Sequence, residues 1–203
     1  MRKLKKSIMY PLIAAVAGTA TAGILQVTGV LAYLTGKQDN ANKITVAENV
    51  IEIQETFTPP PTLTTNNTFT KDVKIKNTGD VPCYTRVFLE FSDNDVRGTS
   101  TVSVDGTNYY PISQLKDHLP TGWVYVESAS DALAPYYYYT QPLAVGASTP
   151  SLIKTVKTTF ADEDKIEPFD IYVYAESVQT LDKDGKEFTG TTPWRSAWTE
   201  YLS

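Results

Sequence analysis

The chain has 203 residues with 18 basic and 23 acidic side chains, a formal net charge of −5, one histidine and one cysteine. These counts exclude an intrachain disulfide, a zinc site built from cysteines and the two-histidine zinc helix H-E-x-x-H. An acidic chain also lacks the Lys/Arg surface that neutralises phosphates, so no nucleic-acid partner is expected. The composition therefore predicts a protein that is not an enzyme and that has no cofactor.

The N-terminus has the pattern of a targeting signal. A basic cluster at residues 2–6 precedes an uncharged, mostly apolar stretch at residues 7–36. Together with the small-x-small pattern Val30-Leu31-Ala32, this is typical of a secretory signal peptide, and we predict cleavage between Ala32 and Tyr33. The alternative is an uncleaved transmembrane helix, since the stretch is long enough to span a bilayer. Cleavage would make the protein secreted, to the extracellular matrix or the cell surface, with membrane contact only before processing.

We expect three segments: a signal peptide at residues 1–32, an N-terminal arm at 33–43 and one domain at 44–203. Residues 1–32 hold four basic and no acidic side chains, which leaves 14 basic and 23 acidic ones in the remainder. No internal repeat and no low-complexity linker divides the remainder, which is long enough to bury a core of its own. A soluble, acidic, single-domain body is therefore predicted.

Cys83 is a free thiol with two interpretations. It follows Pro82 at the start of an apolar run, so it is expected to be a small buried hydrophobe. The alternative is an intermolecular disulfide, which an odd cysteine in an exported protein allows.

The remainder of the chain has the periodicity of β-strands. Residues 69–76 alternate apolar and polar side chains apart from Lys71, as in a strand with one buried and one solvent-exposed face. Residues 83–91 carry large apolar or aromatic side chains on both faces, which predicts a central strand that packs on both sides. Many short strands without interleaved long helices favour an all-β fold, an antiparallel jelly roll or β-sandwich with one or two short helices. The predicted strands are 44–46, 50–56, 69–76, 83–91, 99–104, 107–110, 123–127, 136–141, 152–160 and 169–179.

Turn and helix signals complete the prediction. Asp105-Gly106 is typical of a two-residue hairpin turn, because glycine adopts positive φ at little cost. A short helix is expected at residues 113–118. A second is expected at the C-terminus, where Trp194, Ala197, Trp198 and Tyr201 recur at helical spacing after the capping pair Thr192-Pro193.

The search for catalytic or metal-binding residues finds little. The stretch 182–187 resembles half of a calcium loop but lacks the terminal glutamate, and the acidic groups 93–95 and 162–164 leave only weak Ca²⁺ binding open. His118 is isolated and is expected to be structural or solvated. The run of tyrosines at residues 136–139 could present rings to a glycan, but alternate tyrosines of a strand are expected to cover a core.

A resemblance to a known family begins at the junction after the apolar stretch. Residues 31–50, LAYLTGKQDNANKITVAENV, resemble exported proteins processed by the SipW type of signal peptidase. Those proteins typically read Ala-Tyr/Phe-Phe-Thr, a polar spacer with Asn, then Phe/Ile-Thr-Val-Gly-Asn-Val; here Leu34 and Ala47-Glu48 depart from the pattern. Similar blocks lie at residues 69–82, 137–143 and 171–179. The chain is therefore similar to the TasA/camelysin family of Gram-positive exported proteins.

This resemblance implies a jelly-roll subunit of extracellular biofilm-matrix fibres. In such fibres the N-terminal arm of one subunit completes a sheet in the next, so Tyr33, Leu34 and Ile44 would belong to a donor arm. The implied partners are other copies of the chain, the SipW-type peptidase and further matrix proteins. Two alternatives stay open: a camelysin-like surface metalloendopeptidase, and a monomeric surface adhesion module.

Overall fold

The computed structural model of the protein describes residues 49–203. The predicted signal peptide, the cleavage site at Ala32 and Tyr33, and the donor-arm residues Leu34 and Ile44 lie outside the described residues, as does the predicted strand 44–46. Within residues 49–203 the chain forms nine strands and two α-helices. The strands are β1 Ile51–Thr58, β2 Asn66–Asn77, β3 Cys83–Phe91, β4 Thr101–Ser103, β5 Tyr110–Pro111, β6 Trp123–Val126, β7 Tyr136–Leu143, β8 Ile153–Thr159 and β9 Ile171–Gln179. The helices are α1 Asn94–Thr99 and α2 Pro193–Leu202, and 3₁₀ helices span Ile112–Asp117 and Glu163–Lys165.

Two antiparallel sheets make an all-β sandwich. The first sheet has the order β1-β2-β8-β4-β5 and the second β6-β7-β3-β9. Every strand pair is antiparallel. The prediction of an all-β antiparallel fold with short helices is therefore confirmed at the level of two packed sheets.

The main core lies between the sheets. Val73 and Ile75 of β2 are fully buried, and so are Ile153 and Val156 of β8. The second sheet contributes buried side chains from β3, β7 and β9 to the same cluster. Each side chain of this size contributes about 1.5–3 kcal/mol on burial, so this cluster is the principal source of stability.

β3 packs on both faces, as its sequence predicts. Cys83, Val87 and Phe91 enter the core between the sheets. Tyr84, on the opposite face, belongs to a second buried cluster under α2. β3 lies between β7 and β9, so it is also central in the order of its sheet.

The C-terminal helix α2 covers part of the outer face of the second sheet. Trp194, Ala197 and Trp198 are buried there, while Tyr201 is 43% exposed. Beneath them Arg86 of β3 lies 4.3 Å from the Trp198 ring centroid. The helix therefore closes a second, smaller core, in which the indole rings of Trp194 and Trp198 are shielded from water.

Cys83 is fully buried, as expected for a small hydrophobe. Burial raises the pKa of its thiol to about 12. Because the neutral thiol persists to high pH and is shielded from solvent, the folded domain does not present Cys83 for an intermolecular disulfide.

The local prediction of a tight hairpin turn was wrong. No two-residue hairpin forms at Asp105-Gly106, since β4 ends at Ser103 and β5 begins at Tyr110. Instead the Asp105 carboxylate accepts hydrogen bonds from the backbone N–H groups of Asn108 and Thr107, both at 2.8 Å, and closes a wider loop. These bonds, Asn108 first, hold the pKa of that carboxyl well below its usual range.

The acidic group at residues 93–95 begins a helix that the sequence analysis did not predict. The Asp93 carboxylate accepts from the Val96 backbone N–H at 2.7 Å, which makes it the N-cap of α1. An aspartate at this position satisfies a helix N–H that would otherwise lack a partner. One of its carboxylate oxygens is therefore engaged in capping.

Candidate assembly edge between β1 and β9

The edge strands of the two sheets, β1 and β9, lie beside each other along one side of the sandwich. We call this the β1–β9 seam. Its inner surface is mainly apolar: Ile51, Ile53 and Phe57 of β1 and Ala175 of β9 are partly buried against the main core. The seam is thus a place where two sheet edges and an apolar floor occur together.

The four sheet edges differ in length and in protection. β5 has 2 residues and β6 has 4, too few for extended pairing. β1 has 8 residues and β9 has 9. Long edges present unpaired N–H and C=O groups to other chains, so β1 and β9 are the candidates for strand addition.

A buried ion pair joins β1 to β2 on their inward faces. Lys71 Nζ on β2 lies 2.7 Å from Glu55 Oε1 on β1, and the two side chains are 1% and 5% exposed. Lys71 also lies 5.3 Å from the Phe57 ring centroid. Inward-pointing charges are one of the devices that discourage pairing at a sheet edge. Alternation marked Lys71 only as an exception on an apolar face, and nothing local identified Glu55 as its partner.

β9 has no such protection on its inner face. Ile171 and Val173 are buried and Ala175 is partly buried, all against the main core. An apolar inner face with a free backbone edge favours addition of a strand whose inward side chains are also apolar. β9 is therefore the better acceptor of the two long edges.

The backbone groups on the free edge of β9 follow from the hydrogen-bond pattern. At one end the Ser92 N–H donates to the Asp170 carbonyl at 2.9 Å, and at the other the Thr180 N–H donates to the Pro82 carbonyl at 3.3 Å. The backbone N–H and C=O groups of the even-numbered residues from 170 to 180 thus point toward β3. In an antiparallel pair alternate residues face opposite ways, so the odd-numbered residues 171, 173 and 175 direct their N–H and C=O groups away from β3.

Asn49 joins the start of the described chain to this same edge. Its side-chain amide donates to the Ser177 carbonyl at 3.1 Å, and the Ser177 hydroxyl donates to the Asn49 side-chain oxygen at 3.0 Å. Asn49, the first described residue, therefore lies at the seam, near the C-terminal end of β9. Sequence reasoning missed Asn49, because an asparagine in a polar junction gives no signal of a partner 128 residues away.

A pocket lies at the other end of the seam, where β1 ends and β9 begins. Its empty volume is about 330 Å³, part of it open to solvent. Two polar residues, Lys71 and Asp170, also line it, but Lys71 is paired with Glu55 and the Asp170 carboxylate accepts from the Tyr172 hydroxyl at 3.4 Å. The apolar lining of this seam pocket comes from Phe57, Pro60, Leu63, Phe69, Phe169 and Ile171.

The tyrosine run is divided between the two faces of β7. Tyr137 is buried in the main core, and Tyr138 is fully buried beneath α2, where its hydroxyl donates to the Leu133 carbonyl at 2.6 Å. The expectation that these rings cover a core is confirmed for both residues. Tyr136, by contrast, packs beside Phe88 at 5.7 Å between ring centroids on the outer face, where Tyr174 is 37% exposed.

The other residues singled out from the sequence do not converge. Asp182 accepts from the backbone N–H groups of Asp184 and Lys186, both at 2.9 Å, and so closes its own turn. The His118 ring stacks on Tyr110 at 3.4 Å between centroids. Across residues 49–203 no three His, Cys, Asp or Glu side chains are grouped so that they could hold a metal ion. No helix in this range has both the length and the apolar character needed to cross a membrane.

Comparisons of the chain with protein-family models, with curated proteins and with solved structures give no match in any of the three.

Proposed function

We propose that this chain is an exported structural subunit of extracellular biofilm-matrix fibres, which assembles head-to-tail when the N-terminal arm of one copy adds to a sheet of the next. The observation that carries the proposal is the long, apolar-backed free edge of β9 within the described residues. The TasA/camelysin-like blocks of the sequence supply the expected biological setting. In this proposal the protein is not an enzyme.

Several finer features belong to the same proposal. The sandwich is a jelly roll, residues 1–32 are a signal peptide cut after Ala32 by a SipW-type peptidase, and the mature chain is secreted. Cleavage frees the arm at Tyr33, so that processing controls assembly. Before cleavage the apolar signal would hold the arm at the membrane.

The lengths of donor and acceptor are compatible. β9 has 9 residues, and an extended strand covers about 3.3 Å per residue. An arm at residues 33–43 is therefore long enough to pair along the whole of β9. Because the arm and the β9 edge are different surfaces, each contact is heterologous and the assembly grows as an open filament.

The test uses purified protein that begins at Tyr33, imaged by negative-stain electron microscopy. We expect filaments from this protein and a folded monomer from the same protein without residues 33–43. Circular dichroism of the shortened protein checks that it retains its β-structure. Filaments of unchanged number and length from the shortened protein would contradict donor-strand assembly.

A second candidate function is a monomeric surface adhesion module. The observation that favours it is the row of rings on the outer face of the second sheet, where Phe88 lies 5.7 Å from Tyr136 and 6.3 Å from Tyr174 between centroids. Aromatic faces of this kind can bind glycans or proteins. Size-exclusion chromatography separates the two functions, since an adhesion module that begins at Tyr33 stays monomeric at concentrations where a fibre subunit polymerises.

A further inference from the structure

We propose that the exposed part of the outer face of the second sheet binds arginine side chains of a basic protein partner, which it holds between aromatic rings and carboxylates. We call this surface the tyrosine face and define it by Phe88 and Glu90 of β3, Tyr172 and Tyr174 of β9, and Asp170 just before β9. The proposal concerns side chains on a sheet face, so it does not depend on strand addition at the backbone edge of β9.

Strand register brings the members of the tyrosine face together. Phe88 lies opposite Tyr174 in the pairing of β3 with β9, and Glu90 lies opposite Tyr172. Ring centroids are 6.3 Å apart for Phe88 and Tyr174, and 6.5 Å apart for Tyr172 and Tyr174. Tyr174 is 37% exposed and Glu90 is also exposed. Solvent therefore reaches aromatic rings and a carboxylate on the same surface.

The neighbouring part of this outer face, beneath α2, already holds a cation between a ring and a carboxylate. The Arg86 guanidinium carbon lies 4.0 Å from the Tyr136 ring centroid, and Arg86 Nε donates to Glu176 Oε2 at 2.6 Å. A guanidinium held in this way gains a cation–π contact and a charge-assisted hydrogen bond together. The same combination recurs for Lys71 with Phe57 and Glu55, and for Arg195 with Trp194 and Asp131.

The tyrosine face has the rings and the carboxylates but holds no cation from the described part of the chain. Within residues 49–203 no lysine or arginine lies over the rings of Phe88, Tyr172 or Tyr174. Neither Glu90 nor Asp170 forms an ion pair within this range. The pKa of Tyr172 is raised, first by desolvation and then by the negative charge of Asp170. The surface is therefore complementary to a positively charged group.

The tilt of the rings favours a compact cation over a glycan chain. The ring plane of Phe88 is inclined by 41° to that of Tyr174 and by 53° to that of Tyr136. Rings that do not share a plane do not form one flat platform on which successive sugar rings could stack. A guanidinium needs only one ring face and one carboxylate, and it stacks on aromatic rings better than the more strongly hydrated lysine ammonium. The proposal therefore commits to an arginine-bearing segment of another protein.

The test measures binding of a synthetic peptide of alternating arginine and glycine, with a neutral fluorescent label, to the full chain purified in non-ionic detergent. Fluorescence anisotropy gives the affinity, and we expect saturable binding. The control peptide has citrulline in place of arginine, which keeps the shape and hydrogen-bond donors of the side chain but removes its charge. We expect this peptide to bind at least about ten-fold more weakly. Equal affinity for the two peptides, or no saturable binding of the arginine peptide, overturns the proposal.

Variants locate the site on the tyrosine face. Tyr174→Ala and Glu90→Gln should each weaken binding of the arginine peptide about five-fold, because each removes one of the two interactions with the cation. Tyr174→Phe keeps the ring and should bind within about two-fold of the original chain. Melting temperatures check that all three variants are folded, and Glu90→Gln changes only an exposed side chain. Unchanged affinity in both Tyr174→Ala and Glu90→Gln contradicts the proposed site.

Two matched controls lie on the first sheet or beside it. Glu52→Gln removes an exposed carboxylate of β1, and Tyr109→Ala removes a ring over which Lys157 Nζ already lies, 3.5 Å from its centroid. Both should leave the affinity for the arginine peptide unchanged. If Glu52→Gln weakens binding as much as Glu90→Gln does, the attraction comes from the negative net charge of the chain and the proposed site is wrong.

A cationic glycan is the competing ligand. If glucosamine oligomers bind the tyrosine face more tightly than the arginine peptide does, the commitment to a protein partner is overturned. Filament formation is measured separately. A chain that binds the arginine peptide at Tyr174 and Glu90 but forms no filaments keeps this proposal and contradicts donor-strand assembly.

Discussion

Asn49 and Ser177 exchange two hydrogen bonds, of 3.1 Å and 3.0 Å, across the seam between the two sheets. The pair joins the residue before β1 to the edge strand β9. It thereby holds Asn49, the first described residue, against one end of the seam.

Replacement of Asn49 by alanine should lower the free energy of unfolding by about 1 kcal/mol, because two partly buried hydrogen bonds are lost. Urea titration followed by tryptophan fluorescence measures the change in midpoint. Ser113→Ala, at an exposed position in the 3₁₀ helix, is the control and should leave the midpoint unchanged. Equal midpoints for Asn49→Ala and the original protein would show that the hydrogen bonds between Asn49 and Ser177 do not stabilise the seam.

The buried pair Glu55 and Lys71 should be costly to break from one side. Lys71→Met leaves the Glu55 carboxylate, 5% exposed, without its partner, and we expect a loss of about 3–5 kcal/mol. The double variant Lys71→Met with Glu55→Leu should regain most of that loss, because no isolated charge stays buried. Denaturant unfolding of the two single variants and the double variant gives the coupling energy.

The solvent-exposed face of β2 offers the control for this double-mutant cycle. Lys74 lies 3.3 Å from Asp72, and its side chain is 40% exposed. Exposed ion pairs contribute about 0–1 kcal/mol, so Lys74→Met should be nearly neutral. If Lys71→Met lowers the free energy of unfolding as little as Lys74→Met does, burial does not determine the cost of breaking the ion pair.

The free edge of β9 can be tested with proline. Ala175→Pro removes an N–H that points away from β3, and proline is tolerated in edge strands at such positions. We expect the variant to fold but to lose filament formation, since an added strand would lack one donor. Circular dichroism and electron microscopy are the two measurements.

Tyr174→Pro is the matched comparison, one residue away. Its N–H faces β3, so proline there removes a bond within the sheet, and we expect a destabilised or unfolded protein. If Ala175→Pro forms filaments as readily as the original chain, strand addition does not occur at this edge.

Trp198 should be the main anchor of α2. It is fully buried and lies 5.7 Å from Tyr138 between ring centroids. Trp198→Ala should cost about 3–5 kcal/mol, because a large side chain is removed from a packed site. Tyr201→Ala, on the exposed side of the same helix, should change stability by about 0.5 kcal/mol or less. Calorimetric melting of the two variants tests the difference.

The alkaline stability of the domain should depend on Cys83. Burial raises the pKa of its thiol from 9.0 to about 12. Above pH 9 the unfolded chain releases the thiol proton while the folded chain keeps it, so the free energy of unfolding falls as the pH rises toward 12. The slope contributed by one such group is at most about 1.4 kcal/mol per pH unit.

Cys83→Ala removes this contribution and should make the decline between pH 9 and 12 shallower. Burial also raises the pKa of Tyr137, which adds a decline of the same sign at higher pH in both proteins. The comparison of the two proteins isolates the thiol. Identical slopes would mean that the thiol titrates normally in the folded state.

Much of the secondary structure could be predicted because its signals are local. Alternation of side chains identified β2, and apolar residues on both faces of residues 83–91 identified β3 as a strand covered on both sides. Helical spacing of Trp194, Ala197 and Trp198 identified the buried face of α2. The loop at Asp105 was mispredicted because its carboxylate bonds to Asn108 and Thr107, and side-chain bonds of this kind compete with the tight turn.

The candidate site was much less accessible to prediction. The sequence could suggest that an arm adds to a sheet, but not which edge is free, because the order of strands depends on the whole topology. Lys71 stood out as a charge on an apolar face, yet its partner Glu55 was not predicted. The seam pocket gave no signal at all, since Phe57, Leu63 and Phe169 come from three separated segments.

What the sequence alone determined about this protein is the kind of element that its strongly periodic segments form and the face that each of these elements buries. These follow from the periods of about 2 and 3.6 residues at which side chains share a face, and neighbours along the chain suffice to reveal them. Only the tertiary structure decided that β9 is an edge strand within residues 49–203, that Lys71 meets Glu55 inside the sandwich, and that Asn49 meets Ser177. Such contacts arise when packing of two sheets around one core brings distant segments together, and a residue carries no local mark of a partner 128 positions away.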